Sequence, residues 1–228
     1  EIAKNGMRWG LVTNGFALTK ERMNSLLDSG LHSITVSVDG NEASHNFLRN
    51  SPKSYERVLD ALSVIGESNV ALSDAVTCVF EKNLADLPHI AEILIEYKIP
   101  AWRLFRIFPL GRAKNNPILK LTYPQTMKML DWIKENRTVY QKRGLSLNYS
   151  CEGYMPLDLD KAVRDFPYIC RAGINIASIL CDGTITGCSN NRSRFYMGNI
   201  LRDNFRYVWE NGFKEFRNRD FAKKGKCG

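Results

Sequence analysis

The feature that most constrains this chain is an alternation along its first half. Short apolar runs that read as strands take turns with segments whose apolar residues recur at helical spacing. Trp9-Gly-Leu-Val-Thr13 ends in the turn pair Asn14-Gly15, and residues 33–38 end in Asp39-Gly40. Residues 71–80 and 102–108 follow as strands, the last leaving through Pro109-Leu-Gly-Arg112. Between them, Thr19 is placed to cap a helix with Met23, Leu26, Leu27 and Leu31 on one face. Ser54 is placed to cap a second, with Tyr55, Val58, Leu59 and Leu62. Leu87, Ile90, Ala91 and Leu94 mark a third, ended by Pro100. Strands separated by helices pair in parallel through crossovers, so the pattern predicts an α/β fold. Ligands of such folds gather at the carboxyl edge of the sheet. There this sequence puts Thr13, Asn14, Ser37, Asp39 and Arg106.

The second half changes texture. A helix with Pro124 near its start carries Met127, Leu130 and Ile133, and residues 145–149 read as a strand. Residues 151–168, with Gly153, Pro156 and Pro167, read as irregular. Residues 174–180, the turn Cys181-Asp182-Gly183 and residues 184–186 read as a β-hairpin, and residues 204–216 as an aromatic-rich helix. No apolar run approaches the ~20 residues that span a bilayer. The formal charge of +8 is scattered, apart from Arg217, Arg219, Lys223, Lys224 and Lys226, which reads as a solvated face and argues against nucleic acid.

Six cysteines in 228 residues are too few for a disulfide scaffold. Cys170-Arg-Ala-Gly173, Asp182-Gly183, Cys188 and Gly198-Asn199-Ile200, with Cys227 near the end, set thiols at the edges of a small turn-rich module. Thiols gathered this way in a reducing, cytoplasmic setting point to metal binding. Cys78 falls mid-strand and reads as a core thiol, and Cys181 sits in the hairpin turn. Tetrahedral thiolate sites also suit zinc, which stays open as an alternative.

These pieces together resemble the radical S-adenosylmethionine (radical SAM) enzymes that carry a C-terminal SPASM module. The residues that carry the resemblance are Thr13-Asn14-Gly15, Ser37-Val-Asp39-Gly40, His45-Asn46-Phe-Leu-Arg49, Gly111-Arg112-Ala113, the cysteine pattern and Trp209. The resemblance implies a partial (β/α) barrel lacking its first strands over residues 1–118. A helical connector follows over 119–165, then a small β-hairpin-plus-helix SPASM module over 166–228. It implies S-adenosyl-L-methionine and [4Fe-4S] clusters as cofactors, a peptide or small protein as substrate, and a flavodoxin or ferredoxin as electron donor. No C-x3-C-x2-C motif and no G-G-E-P-like stretch is present, and the strand at Trp9 matches the family's third. The resemblance therefore places the radical-generating motif before Glu1 and the remaining module ligands beyond Gly228, and makes the chain by itself inactive.

By position, Ser37 and Arg49 match the family's contacts to the methionyl carboxylate and ribose of the cofactor. Asn14 lines the same pocket or simply makes its turn, and Phe108 stacks on adenine or packs in the core. Asp39 is a turn former or a ligand. Cys170, Cys188 and Cys227 match auxiliary-cluster ligands, and no catalytic residue is assigned. Ser189 stands where sulfatase-maturating relatives carry an Asp, which argues for another peptide or protein modification. A non-catalytic peptide-binding scaffold is the competing class.

Overall fold

In the computed structural model, which describes residues 1–151, 155–190, 193–218 and 220, five strands pair in parallel in chain order. They are β1 (Trp9–Thr13), β2 (Leu31–Ser37), β3 (Leu72–Val79), β4 (Ala101–Arg106) and β5 (Ser146–Tyr149). Between and after them run α1 (Lys20–Asp28), α2 (Glu42–Arg49), α3 (Ser54–Gly66), α4 (Leu87–Glu96), α5 (Tyr123–Lys142) and α6 (Leu157–Val163). The expected alternating α/β architecture is observed. Strand β5 extends the same sheet by pairing with β4, and residues 119–165 all lie in the first of two compact units, Glu1–Tyr168.

The two faces of this sheet differ in chemistry. Register aligns Thr13, Val36, Ala75, Trp102 and Leu147 in one row across it. Four of these are buried and join Met23, Val58, Leu62, Ile90, Leu94 and Ile133 of the helices in one core. Trp102 is fully buried, and its indole N–H donates to Thr77 Oγ1 at 2.8 Å. Thr77 in turn donates to the Val38 carbonyl, so no donor is left unmet at a cost of about 1–3 kcal/mol. Strand side chains alternate between faces, and the opposite face is polar. Thr35 stands beside Asp74 in register, and Arg103 beside Asn148. Asp74 accepts hydrogen bonds from Thr35 and, at 2.5 Å, from Arg103 Nε.

Local structure follows the sequence with identifiable departures. Thr19 caps α1 by accepting from the Arg22 N–H, as expected. Ser54 does not cap α3; it is the first helical residue, and its hydroxyl faces His45 instead. Strand β4 stops at Arg106, so Phe108 lies in the loop beyond it. Residues 157–163, read as irregular, form α6 because Pro156 sits at the cap position, where its missing N–H is harmless. The buried ion pair Asp160–Arg164 holds the end of that helix.

The second unit begins at Ile169. Its antiparallel sheet joins β6 (Ser178–Ile179), β7 (Thr184–Thr186) and β8 (Tyr196–Asn199) in that order. The hairpin is present, but its first strand is shorter than expected because residues 174–176 turn back onto the Arg171 carbonyl. The expected helix over 204–216 divides into α7 (Phe205–Asn211) and α8 (Lys214–Arg217). Gly212, a poor helix former, interrupts it and lets Phe213 turn inward. Phe213 is fully buried with Ile185 and Val208 in a separate small core. Among the described residues no helix is long and apolar enough to cross a membrane.

Gly66 lets the ends of α3 and α4 pass closely. A Cβ there would lie 2.1 Å from the Tyr97 carbonyl oxygen, far inside contact. Alanine gains about 1 kcal/mol in helix propensity, but forcing two backbones apart costs more. Gly66→Ala is expected to destabilise the fold by about 2 kcal/mol, measured as a lower urea midpoint.

Candidate functional site

The carboxyl edge of β2 is organised by one buried carboxylate. Asp39 follows β2 and is fully buried. Its Oδ2 accepts from Arg49 Nε at 2.7 Å and lies 2.5 Å from Arg49 Nη2. Its Oδ1 accepts from the Cys78 N–H at 2.9 Å. Its own N–H donates to His45 Nδ1 at 3.0 Å, and its carbonyl accepts from Asn83 Nδ2 at 2.7 Å. Every polar group of Asp39 is thus used inside the protein, so Asp39 is neither a bare turn former nor exposed to a ligand.

The local sequence explains this assembly. Gly40 has φ +145, and a Cβ there would meet Ser44 Cβ at 2.6 Å, so only glycine brings the chain into α2 this tightly. Asn41 caps α2 by accepting from the Ser44 N–H. His45 and Arg49 are one helical turn apart and therefore share a face, the one turned toward Asp39. Because His45 Nδ1 accepts a hydrogen bond, its Nε2 carries the ring hydrogen and meets Ser54 Oγ at 3.1 Å. His45 is fully buried. Burial, followed by the Arg49 charge, pushes its pKa down to about 4, so it is neutral. Burial pushes the Asp39 carboxyl upward, against the pull of Arg49 and the Cys78 N–H. Burial lifts the Cys78 thiol to about 11, with the Asp39 charge adding to it, so the thiol is inert.

The candidate residues fall into separate groups. Ser37 is the last residue of β2 and nearly buried. Arg49 closes α2 with its side chain 27% exposed. Asn14 follows β1 on the same edge, exposed, and its Oδ1 accepts from the Phe16 N–H to close its turn. Phe108 is partly exposed, and its carbonyl accepts from the Leu110 N–H. Arg106 donates to Thr126. Cys170 and Cys188 lie in the second unit, both partly exposed, and Cys188 Sγ accepts from the Asn190 N–H at 3.5 Å. Cys227 lies outside the described residues. Among the described residues no three metal-ligating side chains converge, so Cys170 and Cys188 are not joined there by a third ligand. They are of the right donor chemistry for an iron–sulfur cluster, and a backbone N–H to sulfur is the contact that stabilises ligating thiolate.

A sequence model described as the radical SAM superfamily matches residues 1–94. One described as an iron-sulfur cluster-binding domain, SPASM, matches residues 170–228. The chain belongs to the radical SAM superfamily and carries a SPASM domain. Among curated relatives, the AdoMet-dependent heme synthase of Methanosarcina barkeri is 25% identical over 98% of this chain and 66% of its own length. The PqqA peptide cyclase of Rhizobium meliloti is 24% identical over 95% of this chain and 57% of its own. The chain thus spans under two thirds of the relatives it matches. Streptococcus suis SuiB bound to S-adenosylmethionine aligns over 99% of this chain and 55% of that one, at TM-score 0.69 and 14% identity. Native anSMEcpe with bound AdoMet and the Cp18Cys peptide aligns over 96% and 63%, at TM-score 0.65 and 16% identity. These two show a shared fold.

The sequence expectation named Ser37 and Arg49 but not what holds Arg49. The signal was present: Asp39 lies in phase with Ser37, and His45 and Arg49 stand four residues apart. The unfolded chain protonates histidine near pH 6.5, whereas folded His45 resists until about pH 4. Its contribution is therefore complete above ~6.5 and is lost as pH falls. His45→Asn keeps an acceptor for the Asp39 N–H. Between pH 7.5 and 4.5 the stability advantage of the natural protein over this variant should shrink by on the order of 2–3 kcal/mol in denaturant titrations. A pH-independent difference would refute a buried neutral His45.

Proposed function

We propose that the protein containing this chain is a radical SAM enzyme that modifies a peptide or small protein. The observation that supports the reading is the carboxyl end of β2, where Ser37 and an anchored, partly exposed Arg49 lie at the edge that α/β folds commonly use for ligands. A guanidinium and a hydroxyl suit the carboxylate and ribose of S-adenosylmethionine. Asn14 and Phe108 complete this group as further cofactor contacts. Bound there, S-adenosylmethionine would supply radical chemistry: one electron would break its C5′–S bond, releasing methionine and a 5′-deoxyadenosyl radical able to take a hydrogen atom from a substrate. The chain's own residues bind and orient the cofactor and keep water from it.

In the second unit, Cys170 and Cys188, with Cys227, are read as thiolate ligands of an auxiliary [4Fe-4S] cluster. A flavodoxin or ferredoxin serves as electron donor, and the cytoplasm keeps the thiols reduced. The peptide substrate is supported by the named activity of the R. meliloti relative and by the peptide bound to anSMEcpe. A second reading, a tetrapyrrole substrate, is supported by the name of the M. barkeri relative.

The test is anaerobic reconstitution of the full-length protein with iron, sulfide and a reductant. Conversion of S-adenosylmethionine to 5′-deoxyadenosine is expected; its absence would leave the scaffold reading. Replacing both Cys170 and Cys188 by Ser should remove roughly the iron of one cluster, about four atoms, without abolishing that conversion. An unchanged iron content would overturn the assignment, and zinc in place of iron would support the alternative site. Deuterium transfer into 5′-deoxyadenosine from a labelled peptide or from a labelled tetrapyrrole distinguishes the two substrate classes.

A further inference from the structure

We propose that Asp39 is the positioning residue for Arg49, fixing which edge of its guanidinium is offered to a ligand carboxylate. This rests on the reading that Arg49 binds the carboxylate of S-adenosylmethionine.

Three observations carry it. First, Asp39 is fully buried, and its N–H, carbonyl and both carboxylate oxygens are all engaged by His45, Asn83, Cys78 and Arg49. It has no surface on which to touch a ligand, so any effect it has on one passes through a neighbour. Second, Arg49 spends Nε and one Nη2 hydrogen on Asp39 Oδ2. An arginine has five N–H donors, so three remain, on a side chain that is 27% exposed. Third, the anchor is itself rigid. The Cys78 N–H of β3 holds the Asp39 carboxylate, while the ring of His45 and the amide of Asn83 hold its backbone N–H and carbonyl. Asn83 is fully buried and also donates to the Cys78 carbonyl, so it fixes β3 to the same point.

The physical effect is preorganisation. A loose arginine must give up rotamer freedom when it binds, whereas one already held in a fork has given it up on folding. The buried carboxylate also keeps the guanidinium from swinging toward bulk water. What a ligand meets is a fixed row of donors, suited to the planar, two-oxygen geometry of a carboxylate.

The experiment measures dissociation constants for S-adenosylmethionine and for 5′-methylthioadenosine, which lacks the amino acid end. Equilibrium dialysis is run on the full-length, anaerobically reconstituted protein and on Asp39→Asn, Arg49→Ala, Arg49→Lys and the Asp39→Asn/Arg49→Ala pair. Asp39→Asn is expected to weaken S-adenosylmethionine binding by roughly ten- to a hundred-fold, the worth of a hydrogen bond to a charged group. It should leave 5′-methylthioadenosine within about twofold, and the double variant should bind no more weakly than Arg49→Ala. Arg49→Lys keeps a cation beside Asp39 and so keeps the fold, but offers a point charge instead of a fork. It should show the same selective loss, which keeps the proposal testable if Asp39→Asn does not fold.

Equal weakening of both ligands by Asp39→Asn would mean general damage and would overturn the proposal. So would unchanged S-adenosylmethionine binding in Asp39→Asn or Arg49→Lys while Arg49→Ala weakens it. Unchanged binding in Arg49→Ala would instead remove the carboxylate assignment itself, and the proposal with it.

Discussion

The carboxyl edge of the sheet depends on a single ion pair, Arg49 with the buried Asp39. Taking a carboxylate out of water is expensive and is tolerated only where partners meet it on every side. Here the carboxylate meets Arg49 of α2 and the Cys78 N–H of β3, while His45 of α2 and Asn83 of the turn before α4 hold the Asp39 N–H and carbonyl. The same interaction therefore assembles four pieces of chain at one point. Removing Arg49 would leave the Asp39 carboxylate as an uncompensated buried charge, at about 3–5 kcal/mol. The edge stays ordered because disorder there would expose or strand that charge.

The apolar and polar parts of this sheet are set apart. The apolar row through Val36, Ala75, Trp102 and Leu147 ties the sheet to its helices. Ser37 and Arg49 stand where that row gives way to polar loops. The cysteine-bearing unit has its own core around Ile185, Val208 and Phe213, independent of the sheet. The two family models fall one in each unit.

Much of the fold was legible in the sequence because period carries it. Strands β1 to β4 and helices α1, α3 and α4 announce themselves through apolar spacing, and Thr19 through its capping chemistry. Helix α6 did not, since Pro156 reads equally as a breaker and as a helix start. The division at Gly212 was hidden because the aromatic residues on both sides keep a helical rhythm, while Phe213 is drawn into a core no local pattern shows. At the carboxyl edge, the motif drew attention to Ser37 and Arg49 as candidates. The roles of Asp39, His45 and Ser54 were not legible, because they arise from contacts between α2, α3 and the β2 edge. In the cysteine module, thiol spacing does not fix which sulfurs meet.

The polar row on the sheet's other face has a bearing on how the sheet finds its alignment. Asp74 of β3 accepts from Thr35 of β2 and from Arg103 of β4. A slip of one residue along β3 or β4 would turn a charged side chain toward the face packed by Leu62, Ile90 and Ile133. Burying an ion without its partner costs several kcal/mol, against a total stability of only about 5–15 kcal/mol. Three parallel strands of similar apolar content have many ways to pair wrongly. The charges on this face make those alternatives inaccessible, so they act in the folding chain before any ligand is bound.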